Sequence, residues 1–182
     1  KGDDAVIFGS GPAGIMLLTL AKLAGAGNLF IVDINSFRLE FSRKFIPEAL
    51  FLNALTDNSS TIIRNNTKSR GVDISIVATS SLTALSHAIE VTRKGGYIIL
   101  FGVPSRASQF PLKASKLYSN ELSIIPSYAA SETETNQALN LLAERKINLD
   151  FLITHKYTLE QSPNAFYCAH KAKDCMKVII TT

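Results

Sequence analysis

The stretch Ala5-Val6-Ile7-Phe8-Gly9-Ser10-Gly11-Pro12-Ala13-Gly14 decides the fold of this chain. Four consecutive apolar residues predict a short buried strand, which Gly9 ends. From Pro12 to about Ala24 the pattern is that of a helix, so the three glycines occupy a strand-to-helix turn. Each has a physical task there. Gly9 permits the tight turn, Gly11 lets an anion approach the backbone with no Cβ in the way, and Gly14 lets helix and strand pack closely. Pro12 falls in the first helical turn, where the amide it lacks would have no intrahelical acceptor. The free N–H groups and the helix dipole then form a site suited to a pyrophosphate.

A glycine turn alone is a weak signal, and Asp33 strengthens it. Asp33 lies 19 positions after Gly14, at the end of a second predicted strand, Leu29-Phe30-Ile31-Val32. A carboxylate there accepts hydrogen bonds from the ribose hydroxyls of an adenosine and repels a 2′-phosphate, which favours NAD over NADP. Arg38 stands nearby and can stack on adenine or meet a phosphate.

Further along, apolar runs of strand length keep alternating with helical patterns. Ser36 is expected to cap a helix through Phe45, followed by a short strand at Ala49–Leu52 and a polar helix at Ser60–Lys68. Val72–Ala78, Tyr97–Phe101 and Leu122–Ile125 read as strands, with a helix at Leu82–Arg93. Near-continuous apolar strands separated by helices predict a doubly wound α/β fold whose parallel sheet is covered on both faces. Beyond about Thr133 the alternation loosens into a helix to Arg145, an alternating run at Leu152–Leu159, a helix at Gln161–Ala172 and a strand at Lys177–Ile180. Residues 1–132 are therefore taken as a dinucleotide-binding domain and 133–182 as a C-terminal segment whose packing partner is expected outside this sequence. From Ile15 to Ala24 only Thr19 and Lys22 are polar, so the first helix is expected to be covered on both sides.

Composition excludes several classes. With 46% hydrophobic residues and a net charge of +4, the chain cannot be disordered throughout, and two cysteines cannot staple a disulfide framework. No apolar run reaches the roughly 18–20 residues that span a bilayer, so no membrane partner is expected. With no secretory signal in view and a first residue of Lys1, the expectation is a cytoplasmic protein and a piece of a longer chain. The basic pairs Arg43-Lys44, Arg93-Lys94 and Arg145-Lys146 each fall near the end of a helical run, where positive charge complements the dipole. That placement accounts for them without a nucleic-acid stripe.

The remaining chemistry-bearing residues carry little. Cys168, His170 and Cys175 follow no common zinc spacing, and a structural site wants four ligands. His155 sits in an alternating strand-like run and His87 among apolar helical neighbours, while Ser80-Ser81 reads as a helix cap. No triad or pair of carboxylates is visible, so no catalytic and no metal-binding residue is assigned.

Residues Gly2–Gly14, together with Leu20-Ala21-Lys22, Gly25-Ala26-Gly27, Val32-Asp33-Ile34-Asn35 and Arg38-Leu39-Glu40, resemble the zinc-dependent medium-chain dehydrogenases. The Gly95-Gly96 turn before Phe101-Gly102-Val103-Pro104, and Leu152-Ile153-Thr154-His155, continue the likeness from end to end. It points to the polyol and threonine dehydrogenase branch. Ile46-Pro47-Glu48 departs from that pattern, which usually has a small residue before Ala49.

The resemblance implies a Rossmann-type cofactor domain for NAD, with a C-terminal segment that folds back on a catalytic domain. It places Ser10, Gly11, Pro12 and Ala13 at the pyrophosphate and Asp33 and Arg38 at the adenosine ribose. It also sets Ala78 and Thr79 beside the adenine-side ribose and Gly102 and Val103 at the nicotinamide end. Family members bind zinc through Cys, His and an acidic residue of an N-terminal barrel domain. That domain's residues and its Gly-His-Glu are missing here, so zinc and a small alcohol substrate belong to a full-length parent. Zinc polarises the alcohol oxygen in such chemistry, so this chain alone is expected to bind coenzyme and transfer no hydride. Alcohol oxidation by the purified chain would refute that. The resemblance also implies that the Leu122–Ile125 strand is a sheet edge pairing between the subunits of a homodimer or tetramer. Two other classes remain open: a non-catalytic nucleotide-sensing module, and an S-adenosylmethionine-dependent methyltransferase.

Overall fold

In the computed structural model, which describes residues 1–181, the alternating runs form a six-stranded parallel sheet. Its strands are β1 (Ala5–Phe8), β2 (Leu29–Asp33), β3 (Leu50–Asn53), β4 (Val72–Val77), β5 (Thr92–Leu100) and β6 (Ser123–Pro126), in the spatial order β3-β2-β1-β4-β5-β6. The chain winds outward from β1 to β3 and then starts again at β4 on the other side of β1. That reversal leaves a crevice at the carboxyl ends of β1 and β4, where open α/β sheets take ligands.

Alternation along the strands builds two cores. Ile7 and Ile31 point to one face with Ile15 and Leu18 of α1 (Pro12–Leu23) and Leu39 of α2 (Ser36–Arg43). Val6, Phe8, Phe30 and Val32 point to the other, against Ile63 of α3 (Ser59–Asn66) and Leu85, Ala88 and Ile89 of α4 (Leu82–Val91). Helices on both faces are what the apolar strands require.

The later chain adds α5 (Ala114–Asn120), α6 (Glu132–Ala143), α7 (Ser162–Lys171) and a separate parallel pair, β7 (Ile153–Thr158) and β8 (Lys177–Thr181). Leu152 and Met176 are buried within the first core, so the C-terminal segment finds part of its partner on the α1–α2 face. The helix α5 was not foreseen, because Lys113–Asn120 has no apolar stripe to announce it. Leu82–Arg93 ends earlier than expected, at Val91, where Thr92 turns extended and enters β5. On α1, Met16, Leu20 and Leu23 are exposed, so among the described residues only one side of that helix is covered.

The amino ends of the strands are tied by charge. The amide of Asp4 donates to Asp73 Oδ2 at 2.8 Å, and Arg70 donates to both Asp73 oxygens at 2.8 Å and to Asp4 Oδ2 at 3.2 Å. Arg93 Nε donates to Asp73 Oδ1 from the start of β5. Burial alone would push the Asp73 carboxyl up, but the hydrogen bonds from Arg70, Arg93 and the Asp4 amide outweigh it and hold the group at about 2.

Candidate functional site

The turn Gly9–Gly14 sits at the switch point, and its geometry explains each glycine. Gly9 adopts φ +107, a conformation that side chains rarely take. A Cβ on Gly14 would stand 1.8 Å from the Gly9 carbonyl oxygen, so α1 can leave β1 this tightly only without one. Gly11 is the N-cap of α1, and no side chain among the described residues caps it. The first-turn amides of Ala13 and Gly14 therefore have no intrahelical acceptors.

Ser10 behaves differently from its neighbours. It is fully buried, and its amide and Oγ both donate to Asp33 Oδ2, at 2.5 and 2.9 Å. The Asn35 amide donates to Asp33 Oδ1 at 2.8 Å. Asp33 is thus aimed from two sides, with acceptor capacity left over for hydroxyl donors. Ser10 turns inward to hold the carboxylate and does not line the crevice.

Arg38 projects from α2 toward the turn. Its Nη1 lies 3.4 Å from the point that a Cβ on Gly11 would occupy, and its Nε is buried without a hydrogen-bond partner among the described residues. A buried donor left unmet is costly. Asn35, and not Ser36 as expected, caps α2: its side chain accepts from the Arg38 amide at 3.1 Å. Asn35 Nδ2 also donates to the Ala172 carbonyl at 3.0 Å, tying the end of α7 to the loop that follows Asp33. The roles of Ser10 and Asn35 were missed. The only sequence signal was their spacing around Asp33 and Arg38, which many residue pairs share.

The other predicted residues converge from the neighbouring strands. Ala78 follows β4, its amide donating to the Phe8 carbonyl, and its own carbonyl sits 3.0 Å from where a Gly9 Cβ would be. Gly102 packs on Thr79 so closely that a Cβ would come within 2.3 Å of the Thr79 oxygen. Val103 is exposed beyond it. Gly9, Ala78, Thr79 and Gly102 therefore form one continuous floor across β1, β4 and β5, with Asp33 and Arg38 at one end.

Zinc does not fit the residues present. Among the described residues no three His, Cys, Asp or Glu side chains are grouped to hold a metal ion. Cys175 is buried, its Sγ 3.3 Å from the Cys168 carbonyl, and burial together with Cys168 pushes its thiol up, away from the thiolate a metal needs. No helix is long and apolar enough to cross a membrane among the described residues.

Sheet order, glycine turn and the acid closing β2 together define a Rossmann-type α/β domain. A family model described as zinc-binding dehydrogenase matches residues 12–144, and the chain belongs to that family. It is 29% identical over 180 residues to sorbitol dehydrogenase of Bacillus subtilis (strain 168), covering 98% of this chain and 50% of that protein. It is 31% identical over 170 residues to D-xylulose reductase A of Aspergillus oryzae (strain ATCC 42149 / RIB 40), covering 91% of this chain and 47% of the relative. Among solved structures, alcohol dehydrogenase TADH from Thermus sp. ATN1 superposes with a TM-score of 0.90 at 27% identity, over 99% of this chain and 51% of that one. The chain spans about half the length of the curated relatives it matches.

Proposed function

We propose that the chain is the NAD-binding part of a zinc-dependent medium-chain dehydrogenase whose full-length form moves hydride between NAD and a secondary alcohol or polyol. The observation that carries the coenzyme assignment is the pairing of an uncapped helix start at Gly11 with an aimed carboxylate at Asp33. NAD supplies the hydride acceptor; the chain binds and orients it. The amides of Gly11, Ala13 and Gly14 would meet the pyrophosphate, with Pro12 setting the helix start. Arg38 would bring its unmet Nε toward the adenosine half, and Asp33 would take the ribose hydroxyls on the lone pairs that Ser10 and Asn35 leave free. Ala78, Thr79, Gly102 and Val103 would carry the remainder of the dinucleotide toward the nicotinamide.

The same carboxylate would repel a 2′-phosphate, which supports NAD over NADP. The names of the two dehydrogenase relatives, sorbitol dehydrogenase and D-xylulose reductase A, support a polyol substrate. A nucleotide-sensing module or a methyltransferase has no comparable support. The outer edge of β6, which pairs only with β5 among the described residues, suits the subunit contact of a homodimer; sedimentation as a monomer would count against it.

Asp33→Ala tests the coenzyme assignment. Hydrogen bonds to a charged group contribute about 1.5–3 kcal/mol each, so NADH affinity should fall by tenfold or more. Unchanged affinity in a titration followed by NADH fluorescence would remove Asp33 from the site.

A further inference from the structure

At the end of the sheet opposite the glycine turn, a cleft of about 560 Å³ gathers five cationic side chains: Arg64, Arg70, Arg93, Lys94 and Lys116, with Glu90 the single carboxylate in its wall. They come from α3, the α3–β4 loop, β5 and α5, so nothing in the linear order announces the cluster. The irregular start of β5 makes it. Val72 pairs with Thr92 and Ile74 with Tyr97, so the single residue Asp73 of β4 lies opposite four of β5, and Arg93-Lys94-Gly95-Gly96 bulge outward. Gly95 takes φ +68 in this bulge, and a Cβ on Gly96 would stand 2.5 Å from Thr92 Cγ2. Arg93-Lys94 therefore stands just past the end of α4, as the sequence suggested, but in a bulge of β5 that presents both cations to the cleft.

Three of the cations are held in place. Asp73 and Asp4 fix Arg70, and Asp73 also fixes Arg93 through Nε. The Glu90 carbonyl accepts from Arg64 Nη2 at 2.6 Å, and the Lys94 carbonyl from Arg93 Nη1 at 2.7 Å. Each guanidinium carries five N–H donors, so these bonds leave donors spare on Arg64 and Arg93. Lys94 and Lys116 are exposed and make no salt bridge within 4.0 Å among the described residues. Even with Asp4, Asp73 and Glu90 counted, the cluster keeps two positive charges in excess. Fixed guanidinium forks beside exposed ammonium groups suit phosphoryl oxygens, which accept charge-assisted hydrogen bonds from both.

We propose that this cleft is a binding site for a small multivalent anion of the oligophosphate class. The six residues of β4 separate it from the glycine turn by roughly 20 Å, so it is a second site and independent of the coenzyme reading. A concave pocket of molecular size favours a free oligophosphate over the phosphates of a nucleic acid, which need an extended track.

The experiment is a titration of the chain with inorganic tripolyphosphate, followed by amide chemical shifts, beside Lys94→Ala/Lys116→Ala and Glu90→Gln. Neither lysine belongs to the Asp73 network, and unchanged resonances of β1 and β4 check the fold of the double variant. Saturable shifts at Arg93–Gly96 and Lys116 are expected, with affinity falling at least tenfold in the double variant, rising in Glu90→Gln and weakening as salt is added. Absence of saturable binding, shifts confined to Gly9–Gly14, or an unchanged affinity in the double variant would overturn the site. Tighter binding of a short RNA duplex than of tripolyphosphate would overturn the ligand class.

Discussion

Gly14→Ala should remove coenzyme binding and destabilise the fold together, whereas Gly11→Ala should remove binding alone. A methyl on Gly14 meets the Gly9 oxygen at 1.8 Å and the Gly9 carbonyl carbon at 2.9 Å, and both are backbone atoms at the heart of the turn. To fit it, α1 must move off β1, which disturbs the buried contacts of Ile15 and Leu18 with Ile7 and Ile31. Overpacking of this kind costs about 3 kcal/mol. In a chain of this size that lowers Tm by roughly 6–12 °C.

Gly11 differs. A Cβ there meets only Arg38 Nη1, at 3.4 Å, and Arg38 is a long side chain able to shift. Its methyl would stand where the pyrophosphate approaches, so the expected outcome is a wild-type melting curve with NADH affinity reduced at least tenfold. Thermal unfolding and NADH titration on both variants check this. Tight NADH binding by Gly11→Ala would place the phosphates elsewhere.

The second large effect concerns Asp73. Both its oxygens are committed to Arg70, Arg93 and the Asp4 amide, and it joins the starts of β1, β4 and β5. Asp73→Asn leaves Arg93 without its carboxylate and Arg70 with Asp4 alone; because both guanidinium groups are partly solvated, the loss at neutral pH is about 2 kcal/mol. The pH dependence follows from the same group. Its carboxyl is held at about 2 when folded, below its ordinary value of 3.8. The folded state therefore gains stability from Asp73 above pH 4 and loses it as pH falls toward 2, in all about 2 kcal/mol. Urea midpoints between pH 5 and pH 2 should fall steeply in the wild type and less steeply in Asp73→Asn. Parallel slopes would show that Asp73 does not carry the acid sensitivity.

Much of this molecule was legible in its sequence because the decisive features are local. Apolar runs such as Leu29–Val32 can only be strands covered on both faces, and the glycine turn needs its residues within six positions. The acid at Asp33 was legible because the length of one helix and one strand fixes its distance from the turn. What escaped depends on contacts across the fold. Ser10 was expected at the pyrophosphate, yet it is buried against a carboxylate 23 residues away. Asn35 and Ser36 are both able to cap a helix, and only backbone geometry chose Asn35. The cluster around Arg93 joins four segments through an irregular strand, which periodicity reads as a helix end followed by a turn.

A crystal structure of the chain grown with saturating NADH tests the central claim most directly. The pyrophosphate should lie against the amides of Gly11, Ala13 and Gly14, with the adenosine ribose hydroxyls about 2.5–3.0 Å from Asp33, as O–H donors to a carboxylate lie. NADH found away from the Gly9–Gly14 turn, or a turn that stays vacant at saturating coenzyme, would contradict it.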